Sequence, residues 1–508
     1  MKKTISIIIS VLVMISFSAM ALSGCQPDKK PQITAKQFTP LTYYPVGSDA
    51  LVLELENYFE NLTANANFTA THGSVQGSTL TIGFETAGVF EVEVTASADG
   101  RGQAVLKFTL DVYQEPQPEE LFADFNEVAK DYAAASYRLN KAVRDNYWLE
   151  TALFAYHYYP NINSPTGDYS AAFLWPYTEM VAANWRMATL APGSREMMDF
   201  YRSTLKGFEY YRGFREDYLA YPAVRATQIG MAGNDTYYDD NVWVARELLN
   251  AYEVLGEQEY LDKAIGVCEY IWSGWAKDEI GGIYWLEQRR ESRNTCSNAP
   301  AALLFGRMYE TTGDESYLTR AIQIYDFCVE WLRDPSEGTY WDNVRNNGTI
   351  DKAKYTYNTG SMIAAGIKLY EITGEETYLQ DAQFSAQGGY SYFFNNVSGR
   401  NFRGITRGGN PWFNLLLLDG FIELYKHDQS AYTYIREYRR NLDYAYASNV
   451  NDMHLMHPNW HSGSKPSPDT RLNILDMSGN AENMGLIAYF YQHIYQGPIP
   501  LASGDKLI

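Results

Sequence analysis

Two hydrophobic rhythms divide the chain. Up to about residue 113 apolar and polar residues alternate with period two. Leu51-Val52-Leu53-Glu54-Leu55, Thr79-Leu80-Thr81-Ile82-Gly83-Phe84, Val89 to Ala96 and Ala104 to Val112 read as strands, and Asp99-Gly100 between the last two reads as a hairpin turn. Residues 31–113 are therefore expected to form a small all-β sandwich. Gln114-Glu115-Pro116-Gln117-Pro118 is Pro-punctuated, and 114–120 reads as a linker. From 121 to 498 the apolar positions recur at helical spacing.

The helical part repeats itself. Tyr252…Leu255-Gly256-Glu257…Tyr260-Leu261, Tyr309…Thr312-Gly313-Asp314…Tyr317-Leu318 and Tyr370…Thr373-Gly374-Glu375…Tyr378-Leu379 are near copies. Each places Gly at a helix C-terminus and an acidic residue at the start of the next helix, the chemistry of a tight helix–helix turn. Twelve helices are predicted, starting near 121, 170, 195, 241, 258, 295, 315, 354, 375, 411, 429 and 479. The unit is about 60 residues, longer than a 34-residue tetratricopeptide. Six such hairpins can close into a ring of six inner and six outer helices, an (α/α)6 toroid; an open solenoid is the alternative. The Gly turns are short, whereas 213–240, 275–294, 333–353, 395–410 and 447–478 are long connections. All the long loops then share one face, and chemistry is expected where a long loop meets an inner helix.

Composition narrows the class. A formal net charge of −20 argues against a nucleic-acid or anionic-lipid surface. The 42 Tyr and 11 Trp suit a carbohydrate cleft, because sugar C–H faces stack on flat rings; aromatic helix packing accounts for them equally well. Four cysteines are too few for a disulfide framework or a zinc site, and Cys268, Cys296 and Cys328 read as small core residues. Cys25 is different. A basic start, an apolar run from Ile5 to Leu22 and the ending Leu22-Ser23-Gly24-Cys25 read as a secretory signal over 1–24. The ending resembles a bacterial lipobox, which implies lipidation of Cys25, a polar tether over 25–30 and a protein anchored at the cell envelope, with the outer membrane as the expected location. Residues 499–508 read as a tail, and the protein is expected to be a monomer.

The chemistry-bearing stretch is Tyr238-Asp239-Asp240-Asn241-Val242-Trp243, at the start of the fourth helix. Asp-Asp-Asn is also a good N-cap. Its place at the head of an inner helix on the long-loop face favours catalysis. Successive residues at a helix start point about 100° apart, so the two carboxyls can sit about 5 Å apart, the separation expected of a retaining glycosidase. The carboxylate nearer the helix N-terminus is favoured as an anion, and its neighbour then holds its proton. Trp175, Trp243, Tyr284, Trp285, Trp341 and Tyr357 are candidates for stacking on sugar, and each also suits a core. Asn294, Asp342 and Asn358 are candidate hydroxyl binders, and Arg403 and Arg407 candidate contacts to sugar or carboxylate. His454, His457 and His461 invite a metal reading, but Pro458 interrupts any helix that would align them, so a cleft loop is expected. No metal or cofactor is called for.

Six stretches in register with the repeat carry a resemblance: Tyr238 to Trp243, Gly281-Gly282-Ile283-Tyr284-Trp285, Asn294-Thr295-Cys296-Ser297-Asn298-Ala299-Pro300, Trp341-Asp342, Tyr355-Thr356-Tyr357-Asn358-Thr359-Gly360 and Phe402-Arg403-Gly404-Ile405. The domain resembles glycoside hydrolase family 76, the α-1,6-mannanases. The resemblance implies an (α/α)6 barrel that cleaves internal α-1,6-mannosidic bonds of a mannan with retention, Asp239 acting as nucleophile and Asp240 as general acid/base. The family also holds fungal transglycosidases, whose acceptor is a glycan rather than water. Arg407-Gly408-Gly409 departs from the family's more aromatic version. The sandwich is loosely similar to the immunoglobulin-like or cadherin-like modules of secreted glycosidases, with a spacer role expected. Two other readings compete. One is another enzyme of the same toroid, an unsaturated-uronide hydrolase or a sugar epimerase. The other is a helical glycan-binding lipoprotein without catalysis.

Overall fold

The computed structural model describes residues 30–40, 43–160, 171–225 and 235–498. The expected signal over 1–24, Cys25 and the expected tail over 499–508 lie outside the described residues. The chain divides into two compact units that meet between Glu115 and Pro116.

The first unit is built of short strands. One sheet has the order β2 (Tyr44–Pro45), β9 (Gly102–Tyr113), β8 (Gly88–Ala98), β5 (Asn67–Ala70); a second runs β3 (Leu51–Glu54), β7 (Thr79–Ile82), β6 (Ser74–Gln76); β1 (Thr34–Ala35) pairs with β4 (Phe59–Glu60). The alternating sequence is why β8 and β9 form: Val92, Val94 and Ala96 on one strand and Leu106, Phe108, Leu110 and Val112 on the other point into one apolar cluster with Leu53, Leu80 and Ile82. The turn is tight enough that Gly100 takes a φ of +72°, which glycine adopts without penalty.

The second unit is mainly α. After a short turn, α1 (Pro118–Leu121), twelve long helices follow among the described residues: α2 (Glu127–Tyr147), α3 (Leu174–Leu190), α4 (Arg195–Gly207), α5 (Tyr238–Leu255), α6 (Gln258–Ser273), α7 (Thr295–Thr312), α8 (Glu315–Phe327), α9 (Thr356–Thr373), α10 (Glu376–Phe393), α11 (Pro411–Tyr425), α12 (Tyr432–Asn449) and α13 (Ile474–Tyr489). The odd-numbered helices from α3 to α13 each pack on the next, and α13 returns to α3, which closes an (α/α)6 toroid with the even-numbered helices outside. The open solenoid is thereby excluded.

Local chemistry explains most boundaries. Gly256, Gly313 and Gly374 sit at φ of +71° to +72°, and each N–H donates at 2.8 Å to the carbonyl of the leading tyrosine four residues earlier. Two starts differ from the periodicity. The first long helix begins at Glu127 rather than near 121, because Asn126 caps it by accepting from the Ala129 N–H at 3.0 Å. The last begins at Ile474 rather than near 479, capped by Asn473. A sixth long connection, 148–173, joins α2 to α3; it carries no Gly-turn signature and escaped the sequence reading.

The inner helices are buried on nearly every side. Phe421, Leu417, Leu369 and Ile363 are fully buried, and each such side chain contributes roughly 1.5–3 kcal/mol. Where α9 meets α11 a Cβ on Gly360 would lie 2.1 Å from the Leu416 carbonyl oxygen, so glycine sets that approach. Among the described residues no helix is long and apolar enough to cross a membrane.

Candidate active site

All six inner helices begin on the long-loop face, and the first turns of all six line one cavity of about 1060 Å³. Trp175 comes from α3, Asp239, Asp240 and Trp243 from α5, Cys296 from α7, Tyr357 from α9, Trp412 and Phe413 from α11, and Leu475 from α13. The long loops raise its walls, with Phe173, Tyr237, Trp285 and Tyr355 among their contributions.

Buried asparagines hold these loops to the helix heads. Asn241 accepts from the Tyr221 N–H at 2.8 Å and donates back to the Tyr221 carbonyl at 3.0 Å. Asn298 does the same for Ile283, at 2.7 and 2.9 Å. Each amide pairs with a loop peptide as a neighbouring strand would, which satisfies backbone groups that burial would otherwise leave costly.

Aromatic rings form one continuous surface. Trp412 meets Trp175 at 5.1 Å and Trp243 at 5.2 Å, both edge to face. Phe413 lies 4.3 Å from Tyr357, which stacks on Tyr355 at 5.7 Å. Such rings offer flat apolar faces beside polar rims, the combination a sugar ring needs.

The two aspartates differ in their partners. Asp239 Oδ2 accepts from Trp285 Nε1 at 3.1 Å and from Cys296 Sγ at 3.2 Å. Burial pushes the Asp239 carboxyl up to about 6, while those two donors and the backbone amides at the start of α5 pull against the rise. Asp240 is 9% exposed and meets no hydrogen-bond donor among the described residues; burial, and then the charge of Asp239, push its carboxyl well above the usual carboxylate range. Burial thus raises both carboxyls and raises Asp240 further, with desolvation ahead of like charge as the cause. Asp342, also in the wall, is raised by burial and accepts from the Asn343 amide at 2.7 Å.

Of the expected binding residues, Trp175, Trp243, Trp285, Asn294, Asp342 and Tyr357 line the cavity. Five others do not. Tyr284 accepts from the buried Arg293 at 3.1 Å and is covered by its guanidinium. Trp341 turns its ring to Lys352. Asn358 is fully buried within α9. Arg403 donates to the Phe394 carbonyl and lies over Tyr390. Arg407 lies over Tyr392. The histidine loop is tied to backbone: His457 Nδ1 accepts from the Asn459 N–H at 3.0 Å, and His461 Nε2 lies 3.2 Å from the Ile405 carbonyl oxygen.

Sequence reasoning missed Trp412 and Phe413. They supply the aromatic wall that the Arg407-Gly408-Gly409 departure leaves open, and their place just after Pro411 at a helix head was the available signal. Cys268, Cys296 and Cys328 are all buried among apolar residues, as expected, and Cys296 in addition borders the cavity beside Asp239.

The comparisons bear on this arrangement. The family model "Glycosyl hydrolase family 76" matches residues 149–472. The mannan endo-1,6-alpha-mannosidase of Candida glabrata is 28% identical over 137 residues, 24% of this chain and 30% of that protein. One from Candida albicans is 24% identical over 226 residues, 39% and 49%. The chain thus spans no more than about half the length of these curated relatives. Among solved structures, a family 76 glycoside hydrolase (mannosidase) from Bacteroides thetaiotaomicron superposes with a TM-score of 0.64 at 26% identity, covering 71% of this chain and 98% of that one. An inactive variant of an α-1,6-mannanase from a Salegentibacter species, in complex with α-1,6-mannotriose, superposes with a TM-score of 0.57 at 22% identity, covering 70% and 99%.

Proposed function

The chain belongs to glycosyl hydrolase family 76, and from that premise we propose that it is a retaining hydrolase of α-1,6-mannosidic bonds in a mannan backbone or its fragments. The observation that carries the reading is the unequal pair on α5. Asp239 holds two donors on Oδ2 and is the easier of the two to ionise; Asp240 has none among the described residues and keeps its proton to higher pH.

In this reading a carboxylate oxygen of Asp239 attacks the anomeric carbon while Asp240 protonates the departing glycosidic oxygen. A covalent mannosyl ester results. Asp240, now an anion, takes a proton from water as that water attacks the same carbon, and both carboxyls return to their starting states. Double displacement retains the anomeric configuration. The open, aromatic-lined cavity supports binding of several successive sugars and hence internal cleavage. The inactive mannanase that binds mannotriose supports the substrate class. Lipid attachment at Cys25 and residence at the cell envelope complete the proposal; in cells, Cys25→Ser should release the protein from the membrane fraction.

The test is incubation of the protein with unbranched α-1,6-mannan, with products followed by size and by the anomeric proton signals. Early short oligosaccharides released first as the α-anomer are expected. Mannose alone replaces internal cleavage with end-directed cleavage, and β-anomer first refutes retention. Binding without any product supports the non-catalytic glycan-binding reading instead.

A further inference from the structure

The thiol of Cys296 is buried beside Trp243, Tyr357 and Trp412, yet it also reaches the cavity and a carboxylate. It is on the first turn of α7, 9% exposed, and it lines the cavity. Its Sγ lies 3.2 Å from Asp239 Oδ2, 57 residues away in sequence. Cys268 and Cys328, both fully buried in the core, show no comparable polar contact among the described residues. At 3.2 Å a sulfur–oxygen contact is inside hydrogen-bond range, and a carboxylate only accepts, so the thiol is the donor.

We propose that Cys296 is a positioning residue that holds the Asp239 carboxylate in place through Sγ–H···Oδ2 and favours its anionic form. This inference rests on the role proposed above for Asp239. Burial and the neighbouring carboxylate push the thiol well up, so it stays protonated and keeps donating throughout the working range. The other titratable and charged groups around Asp239 do not substitute for it. Asp240 on the same helix and Asp342 on the wall are carboxyls that oppose a second negative charge. Tyr237 and Tyr357 face the pair from the preceding loop and from α9 and remain neutral phenols. Arg289 lines the cavity without an ion pair to Asp239. Among the described residues Trp285 and Cys296 are the two side-chain donors on Oδ2, and they approach from different elements. Between them they fix the carboxylate plane relative to the cavity.

A hydrogen bond to a charged group makes the anion easier to form, and a thiol is a weak donor. Its removal should raise the acidic limb of the kcat/KM profile by about 0.5–1 pH unit, a loss of roughly 3- to 10-fold below that limb. The test uses Cys296→Ala, Cys296→Val and Cys296→Ser in the full protein on unbranched α-1,6-mannan. Ala and Val should both move the limb upward, although Val keeps most of the volume. Ser keeps a donor and should leave the limb in place or lower it.

A second readout needs no substrate. The infrared S–H stretch of Cys296, identified by its loss in Cys296→Ala, should shift as Asp239 ionises and should not titrate in that way in Asp239→Asn. Limbs unmoved in Ala and Val, or activity lowered equally at every pH with the Ser limb moving like the Ala limb, would reduce Cys296 to packing and overturn the inference. An inactive wild type whose S–H band still titrates with Asp239 would refute the enzymatic reading and leave the contact standing. An active wild type whose band is insensitive to pH would do the reverse.

Discussion

Replacing Asp239 by Asn should destroy turnover and at the same time stabilise the helical domain. The fold raises this carboxyl from its ordinary 3.8 to about 6. Two units at 1.36 kcal/mol each correspond to about 3 kcal/mol of preference for the neutral form. The sign follows from proton counting. Between about pH 4 and 6 the native state binds more protons at this group than the unfolded chain does, so stability falls as pH rises through that window. Above it the fold carries the whole cost of a buried anion. Asn carries none, so near pH 8 the variant should be more stable by about 1–3 kcal/mol, the lower bound allowing for weaker bonds to Trp285 and Cys296. Near pH 4 the gain should vanish. Denaturant unfolding at the two pH values reads the difference, and kcat on mannan should fall by about 10⁴-fold or more, as for loss of a nucleophile. A variant equally affected at both pH values, or less stable near pH 8, would refute the assignment of burial as the cause. Turnover within tenfold of wild type would refute the nucleophile.

Three further outcomes follow from the same geometry. Asp240→Asn should lower mannan cleavage by about 10²–10⁴-fold, yet spare the first step on an aryl mannoside whose phenol leaves without protonation; equal loss on both substrates would remove the acid role. Trp285→Phe keeps a ring against Tyr237, 5.0 Å away, but deletes the Nε1–H donor, so the acidic limb of kcat/KM should rise by about one pH unit. Gly360→Ala drives a methyl against the Leu416 carbonyl oxygen at 2.1 Å and should cost about 1–3 kcal/mol in urea unfolding, as overpacking does.

What adjacent carboxyls at a helix head do to each other is visible in the balance at α5. The helix supplies amide donors to one member of the pair, while closure of the ring removes water from both. Neither effect alone separates the two acidities. Burial without donors would leave both carboxyls protonated, and donors without burial would leave both ionised.

What could be read along the chain was local. Gly256, Gly313 and Gly374 announce their turns because only the left-handed backbone closes them, and that demand lies within five residues. The alternation in β8 and β9 and the 3.6-residue rhythm behind the twelve long helices are likewise short-range, and six hairpins of one length favour a closed ring. Asp239 and Asp240 were legible because both carboxyls are adjacent and mark a helix start. The cavity wall was not. Whether a Trp or Tyr faces sugar or core depends on its rotation about an inner helix and on the loop laid over it. Tyr284 and Trp285 are neighbours, yet one is covered by Arg293 and the other reaches Asp239. Trp412 joins Trp175 across the ring, and Cys296 meets Asp239 from another helix. The partners of Trp285, Cys296 and Trp412 are 46 to more than 200 residues away, and only ring closure brings those side chains into contact. Periodicity sets the helices and their turns; tertiary packing decides which residues they turn toward the cavity.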